Sequence, residues 1–158
     1  MKNILLLIST ALLCVAVSSC KKNSTRGAVV PLTSFTFYSG DSLINYPIVQ
    51  AAIQDVYTTH TTLITGEYTD TSAQKGNISI RLVGDTTGRY RGDSLFVTYT
   101  NALGKVYSKA NDTTSFVLVD KFIKSSNGMV SGSFSLKVFS GSDSLSITQG
   151  TFSALYQE

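Results

Sequence analysis

The chain has 158 residues, 42% hydrophobic and 15% charged, with two cysteines, two prolines, one histidine and no tryptophan. Its net charge of +3 is unevenly placed, because from Ala28 onward nine Lys and Arg stand against ten Asp and Glu, a balance of −1. That balance, with no basic patch interleaved with aromatics, excludes nucleic acid as an expected partner. The single histidine, with no His/Cys/Asp/Glu cluster at ligand spacing, leaves no expected metal site, cofactor or catalytic residue.

The first element is the apolar run Ile4 to Val17, broken only by Ser9 and Thr10 and preceded by Lys2. Fourteen residues suit the core of a secretory signal and are too few to cross roughly 30 Å of hydrocarbon as a helix. Small residues, Ser18 and Ser19, lead to Cys20. The string Val17-Ser18-Ser19-Cys20 resembles the lipobox of bacterial lipoproteins, with Val17 in place of leucine and Ser19 in place of glycine or alanine. The resemblance implies that residues 1–19 are a lipoprotein signal peptide and that Cys20 is the lipidated mature N-terminus. Cys14 would leave with the signal, so a mature chain of 139 residues keeps no second cysteine for a disulfide. Lys21, Lys22 and Arg26 lie in the polar tether 20–30, where each base near anionic head groups adds about 1 kcal/mol. Residues 31–158 are then one domain.

That domain is rich in Ser, Thr, Gly, Val, Phe and Tyr and breaks at turn residues into short β-like runs. Strands are expected near Thr33–Ser39, Ser42–Tyr46, Thr61–Tyr68, Asn77–Val83, Ser94–Thr100, Ser115–Ile123, Met129–Phe139 and Ser144–Tyr156. The fold class is all-β, an antiparallel sandwich or barrel-like meander of about eight strands. Turns are expected at Ser39–Asp41, Gly84-Asp85, Asn101–Gly104, Ser126–Gly128 and Gly141–Asp143, with Asn127-Gly128 the strongest hairpin signal. In Val130–Phe139 the residues Val130, Gly132, Phe134, Leu136 and Val138 share one face. In the last strand the apolar positions change parity, from Leu145 and Ile147 to Phe152, Ala154 and Tyr156. One extra residue at Gln149-Gly150, a β-bulge, restores them to the core. Phe116–Ile123 is apolar on both faces except at Asp120 and Lys121, which predicts a central strand.

Pro47–Tyr57 reads two ways. Ile48, Val49, Ala52, Ile53, Val56 and Tyr57 recur at helical spacing behind a proline suited to a first turn. The alternative is a strand ending in a threonine-rich turn, Thr58–Thr62. Gly132-Ser133-Phe134-Ser135 and Ile147-Thr148-Gln149-Gly150-Thr151-Phe152 resemble the closing segments of a family of short Bacteroidota lipoproteins of unknown function. Thr62–Gly66 is similar to an earlier strand of that family. The resemblance implies an all-β fold, tips Pro47–Tyr57 toward strand and supplies no catalytic or binding residues.

Gly-Asp-Ser-Leu occurs at Gly40–Leu43 and Gly92–Leu95, and Ser142–Leu145 nearly repeats it. As a serine-esterase signature it would make Ser42 or Ser94 the nucleophile. Such an enzyme needs a histidine oriented by a carboxylate, and His60 follows Tyr57 rather than an aspartate at that spacing. Turn chemistry is the simpler reading, since aspartate side chains bond amides two residues on. The same Asp-Ser/Thr pairs resemble the O-glycosylation sequon of exported Bacteroidota proteins, which marks Ser42, Ser94, Ser144, Thr86 and Thr113 as candidate acceptors. Arg91-Gly92-Asp93 spells an integrin-binding tripeptide but overlaps one of these turns. Tyr38, Tyr46, Tyr68, Tyr90, Tyr99 and Tyr107 would make either a sugar-binding face or half-buried packing, and packing is the commoner role. Glu67 and Asp70 are too isolated to credit as paired carboxylates.

These observations predict a non-enzymatic, lipid-anchored binding or envelope-accessory module at the outer membrane, facing the periplasm, with an envelope protein or glycan as partner. Lys21 differs from the aspartate associated with inner-membrane retention. A small-ligand carrier with a barrel cavity is the alternative.

Overall fold

The alternation of apolar and polar residues becomes eleven strands. The computed structural model describes residues 32–56, 59–68, 76–110, 112–125 and 127–157, with the side chains of 55 and 56 excepted. In chain order the strands are β1 (Ser34–Ser39), β2 (Ser42–Tyr46), β3 (Ile48–Val56), β4 (Thr59–Glu67), β5 (Asn77–Val83), β6 (Gly88–Tyr90), β7 (Leu95–Thr100), β8 (Val106–Lys109), β9 (Phe116–Phe122), β10 (Met129–Ser140) and β11 (Asp143–Gln157). A 3-10 turn, Gly92–Ser94, precedes β7. The all-β expectation holds, but there are more strands than expected. β6 and β8 have three and four residues, too few for alternation to register in sequence.

Pairing runs β2-β1-β11-β3-β4-β5-β7-β8-β10-β9-β6, and β10 also pairs with β11. The second pairing closes β11, β3, β4, β5, β7, β8 and β10 into a ring and leaves β1–β2 and β9–β6 as flaps. The two longest strands, β10 and β11, make this possible by sharing an edge between partners. One edge of β11 holds β1 at residues 147–153 and then β3 at 155–157. One edge of β10 holds β9 at 130–135 and then β8 at 138–139. The β3–β11 pair is parallel, so the sheet is mixed rather than purely antiparallel. The chain leaves β2 through Pro47 and re-enters beside the far end of β11 in the same direction.

Pro47–Tyr57 is resolved as strand over Ile48–Val56, paired in register with β4 from Ile48↔Glu67 to Val56↔Thr59; Tyr57 lies outside the described residues. The threonine-rich stretch is mostly not a turn, because Thr59–Thr62 belongs to β4. Thr61 and Thr62 are both buried, and their hydroxyls donate to the Gln54 and Gly84 carbonyls at 2.7 Å. Those bonds offset the cost of burying the hydroxyls. The expected central strand, β9, pairs with β10 and β6 and buries Val117 and Val119, yet only the short β6 separates it from the sheet's end.

The predicted bulge is present. Phe134 faces Gly150 and Leu136 faces Ile147, so Ser135 opposes two residues. Gln149 takes φ 51°, and the inward set passes from Ile147 to Phe152 and Ala154, all at most 2% exposed. Gly150 lies under the Phe134 ring so closely that an added Cβ would stand 2.3 Å from it.

The hairpins β1–β2 and β10–β11 turn on Gly40-Asp41 and Gly141-Ser142, with the glycines at φ 61° and 63°. Glycine at the first central position of a two-residue loop suits a type II′ turn. Between β9 and β10 the loop is longer: Asn127 takes φ 62° and the Gly128 amide donates to the Ser125 carbonyl, while Ser126 lies outside the described residues.

The interior is filled by aromatic rings. Phe35 lies 6.1 Å from Phe37, 6.3 Å from Tyr46, 5.0 Å from Phe134 and 6.2 Å from Phe152, centroid to centroid. Ile64, Ile78, Ile80, Leu82, Leu95 and Ile147 complete it, each at most 1% exposed.

Candidate functional site

At β2 the flap β1–β2 ends in an edge that pairs with no other described strand. Across from it stand Tyr68 after β4, Gly76 before β5, Tyr99 in β7 and Ala102 in the β7–β8 turn, and between them lies a cleft of about 350 Å³. Leu43, Ile44, Asn45 and Tyr46 all line it. Successive strand residues point to opposite faces, so a cavity touching four in a row runs along the strand's edge. The hairpin register shows which backbone groups meet it. Ser39↔Ser42 closes a two-residue loop and is therefore a hydrogen-bonded pair, as are Phe37↔Ile44 and Phe35↔Tyr46. The amides and carbonyls of Leu43 and Asn45 then point away from β1, into the cleft.

Among the described residues that line it, none is charged. Tyr46 and Tyr99 form the floor, 3% and 4% exposed. Burial, with the neighbouring Tyr99 phenol, pushes the Tyr46 hydroxyl well above the ordinary tyrosine range. Burial also raises Tyr99, aided by nearby Tyr107 and opposed by hydrogen bonds with Ser39 and Tyr46. Both phenols keep their protons to higher pH in the folded domain than in the unfolded chain, where they ionise above about pH 10. A group whose folded pKa is raised contributes stability present below the unfolded value and lost as pH climbs through the folded one. Stability to urea is therefore expected to fall above about pH 10, and Tyr46→Phe to flatten that alkaline decline. An equal decline in wild type and variant would show that Tyr46 does not carry it.

The residues singled out by sequence are dispersed. Ser42 opens β2 and Ser144 lies in β11 beside its hairpin, both exposed; Thr86 and Thr113 are exposed in loops. Ser94 is half-buried in the 3-10 turn, where its hydroxyl donates to the Arg91 carbonyl at 2.7 Å and accepts from the Arg91 amide at 3.1 Å. That engagement occupies the oxygen a nucleophile or glycan acceptor would use. Cys20 and Asp70 lie outside the described residues. His60 is exposed on β4, opposite Asp55 in the ladder, and its carbonyl accepts from the Gly84 amide. Ser42 stands on β2, in the β1–β2 flap, and His60 on β4, in the ring. Glu67 is exposed at the end of β4.

The three Asp-Ser pairs do not share one structure. Gly40-Asp41 forms a hairpin turn, Gly92–Ser94 a 3-10 turn, and Asp143 already lies within β11, where it pairs with Lys105. Asx-type bonding appears elsewhere. Asn101 Oδ1 accepts from the Leu103 and Lys105 amides, and Asp112 Oδ1 accepts from Thr114 and Ser115. Burial would raise the Asp112 carboxyl, but bonds from the Ser115 amide and hydroxyl and from Thr114 outweigh it and hold it below its ordinary value.

Of the six tyrosines read as platform or packing, Tyr46, Tyr90 and Tyr99 are buried and only Tyr38 and Tyr68 exceed one-third exposure. Packing is the main role, yet Tyr46, Tyr68 and Tyr99 converge on the cleft, which sequence did not locate. Among the described residues no group of three or more His, Cys, Asp or Glu is placed to hold a metal ion. Comparison with protein-family models, curated proteins and solved structures finds no match, so a functional reading must come from the chain's own residues.

Proposed function

We propose that the chain is an outer-membrane lipoprotein, anchored through Cys20, whose β domain is a non-catalytic binding module that takes an extended, uncharged polypeptide segment in the cleft beside β2. The observation that carries this reading is the cleft itself: an open strand edge facing walls that are apolar and tyrosyl among the described residues. Main-chain bonds to such an edge give affinity, and pockets beside it give selectivity, in the strand-addition mode of peptide recognition. The apolar and tyrosyl character of the described lining residues favours an uncharged partner. The resemblance of Val17–Cys20 to a lipobox supports the anchor, and the periplasmic face of the outer membrane is the expected location.

The test is selection of a random-peptide library on the soluble domain, repeated with Leu43→Pro. Proline removes the one amide donor of Leu43 without touching the bonds from β2 to β1, and edge strands tolerate it. Enriched uncharged sequences that lose binding to Leu43→Pro would support the reading; enrichment indifferent to that change, or none, would overturn it. For the anchor, Cys20→Ala is expected to move the protein from the membrane to the soluble fraction and abolish labelling by a fatty-acid analogue. Protease shaving of intact cells separates the periplasmic from the surface face.

A small-ligand carrier is the second reading. The packed aromatic interior does not favour a ligand inside the ring, but the cleft falls within the roughly 300–1,000 Å³ of small-molecule sites. A small-molecule carrier would enrich no peptide sequence in that selection.

A further inference from the structure

On the outer face of the ring, away from the core, β5 and β7 carry their outward residues in register. Ile78, Ile80 and Leu82 fill the core, so Ser79 and Arg81 point outward; Leu95, Val97 and Tyr99 do the same for Phe96 and Thr98. The ladder sets Arg81 opposite Phe96 and Ser79 opposite Thr98. On the other side it sets Leu63 opposite Arg81 and Thr65 opposite Ser79. Gln54, Leu63, Ser79, Arg81, Phe96 and Thr98 line a shallow depression of about 270 Å³.

Arg81 is the only charged residue among those lining residues. Its guanidinium carbon stands 4.4 Å from the Phe96 ring centroid, and no ion pair to a described carboxylate engages it. Stacking fixes the plane of the guanidinium and leaves its edge N–H groups, the fork that matches a carboxylate, free of the ring. Around that fork stand two hydroxyls and an amide, from Ser79, Thr98 and Gln54. Leu63 and the rim of Phe96, which is 44% exposed, add apolar surface.

We infer that this depression binds a saccharide unit bearing a carboxylate, such as a uronic acid residue of an acidic glycan. The Arg81 fork takes the carboxylate through two parallel N–H···O bonds. Ser79, Thr98 and Gln54 meet ring hydroxyls, and the apolar ring face lies on Leu63 and Phe96. Arg81, the one cation among the described lining residues, selects for an anion, and the hydroxyls and amide beside it suit a polyhydroxylated one. A nucleic acid would need a run of cations that this face lacks. This site is separate from the cleft beside β2 and does not rest on it.

The experiment is titration of the isotope-labelled soluble domain with oligogalacturonate, with an uncharged malto-oligosaccharide and with inorganic phosphate, followed by amide NMR. Oligogalacturonate is expected to shift the Ser79, Arg81, Phe96 and Thr98 amides while malto-oligosaccharide does not. Arg81→Gln should abolish the shifts, and Arg81→Lys should weaken binding about tenfold, the loss of one bidentate contact. Leu43→Pro should leave them unchanged, which separates this site from the cleft. Equal shifts from malto-oligosaccharide, equal shifts from phosphate alone (a simple anion site), shifts that survive Arg81→Gln, or no shift at those amides would each overturn the proposal. A matching amide spectrum for Arg81→Gln in the absence of ligand shows that the variant is folded.

Discussion

Gly150→Ala is expected to destabilise the domain by about 3 kcal/mol, at the upper end of what overpacking costs. The reason lies in the bulge. The extra residue at Gln149 pushes the backbone of β11 under Phe134, so that an alanine Cβ would stand 2.3–2.4 Å from three atoms of the ring. The ring cannot retreat easily, because Phe35 lies at 5.0 Å, Phe37 at 6.1 Å and Phe152 at 6.4 Å. A urea midpoint measured on Gly150→Ala checks the size of the effect. The double variant Gly150→Ala/Phe134→Leu checks its cause: a smaller side chain at 134 should make the pair markedly less harmful than the sum of the singles. Additive losses would mean that the clash is relieved elsewhere.

Phe35→Ala is the second large effect, with an expected cost of about 3–5 kcal/mol. Phe35 has no exposed surface and meets four other rings, so truncation empties space bounded by groups already locked against one another. Against a typical stability of roughly 5–15 kcal/mol, such a loss leaves little folded protein at elevated temperature. Tyr38→Ala, three positions along the same strand and 37% exposed, should by contrast shift the midpoint only slightly. Comparable losses at the two positions would mean that the aromatic cluster is not the domain's centre of stability.

These two residues also show what was legible in the chain. The strand that holds Phe35 was expected at Thr33–Ser39 and is β1, Ser34–Ser39, and the bulge was readable because the apolar residues of β11 change parity between Ile147 and Phe152. Parity is local information. Ring closure is not: nothing in residues 48–56 says that Gln50 will lie beside Leu155, since parallel neighbours leave no turn between them. The helical spacing of Ile48, Ile53 and Val56 was overridden by that pairing and by β4. The cleft and the Arg81–Phe96 stack were invisible for a related reason. A tyrosine on a strand reads alike whether it packs in a core or floors a cavity, and Arg81 meets Phe96 only once the register of β5 on β7 is known.

The sharing of one edge of β11 by β1 and β3 has a consequence for how the molecule comes into being. The start of the domain is joined to its last strand, as in the Thr36–Thr151 hydroxyl bond, which links residues 115 positions apart. Contacts of such high separation make folding slow, because a large loop must close before any of them forms. The run β3-β4-β5-β7-β8 and the β9–β6 flap on β10 can pair before residues 143–157 are available, but the ring cannot close, nor β1 find its place, until they are. The last strand is therefore the keystone of the fold: a chain cut before Asp143 would keep its local hairpins and lose the ring.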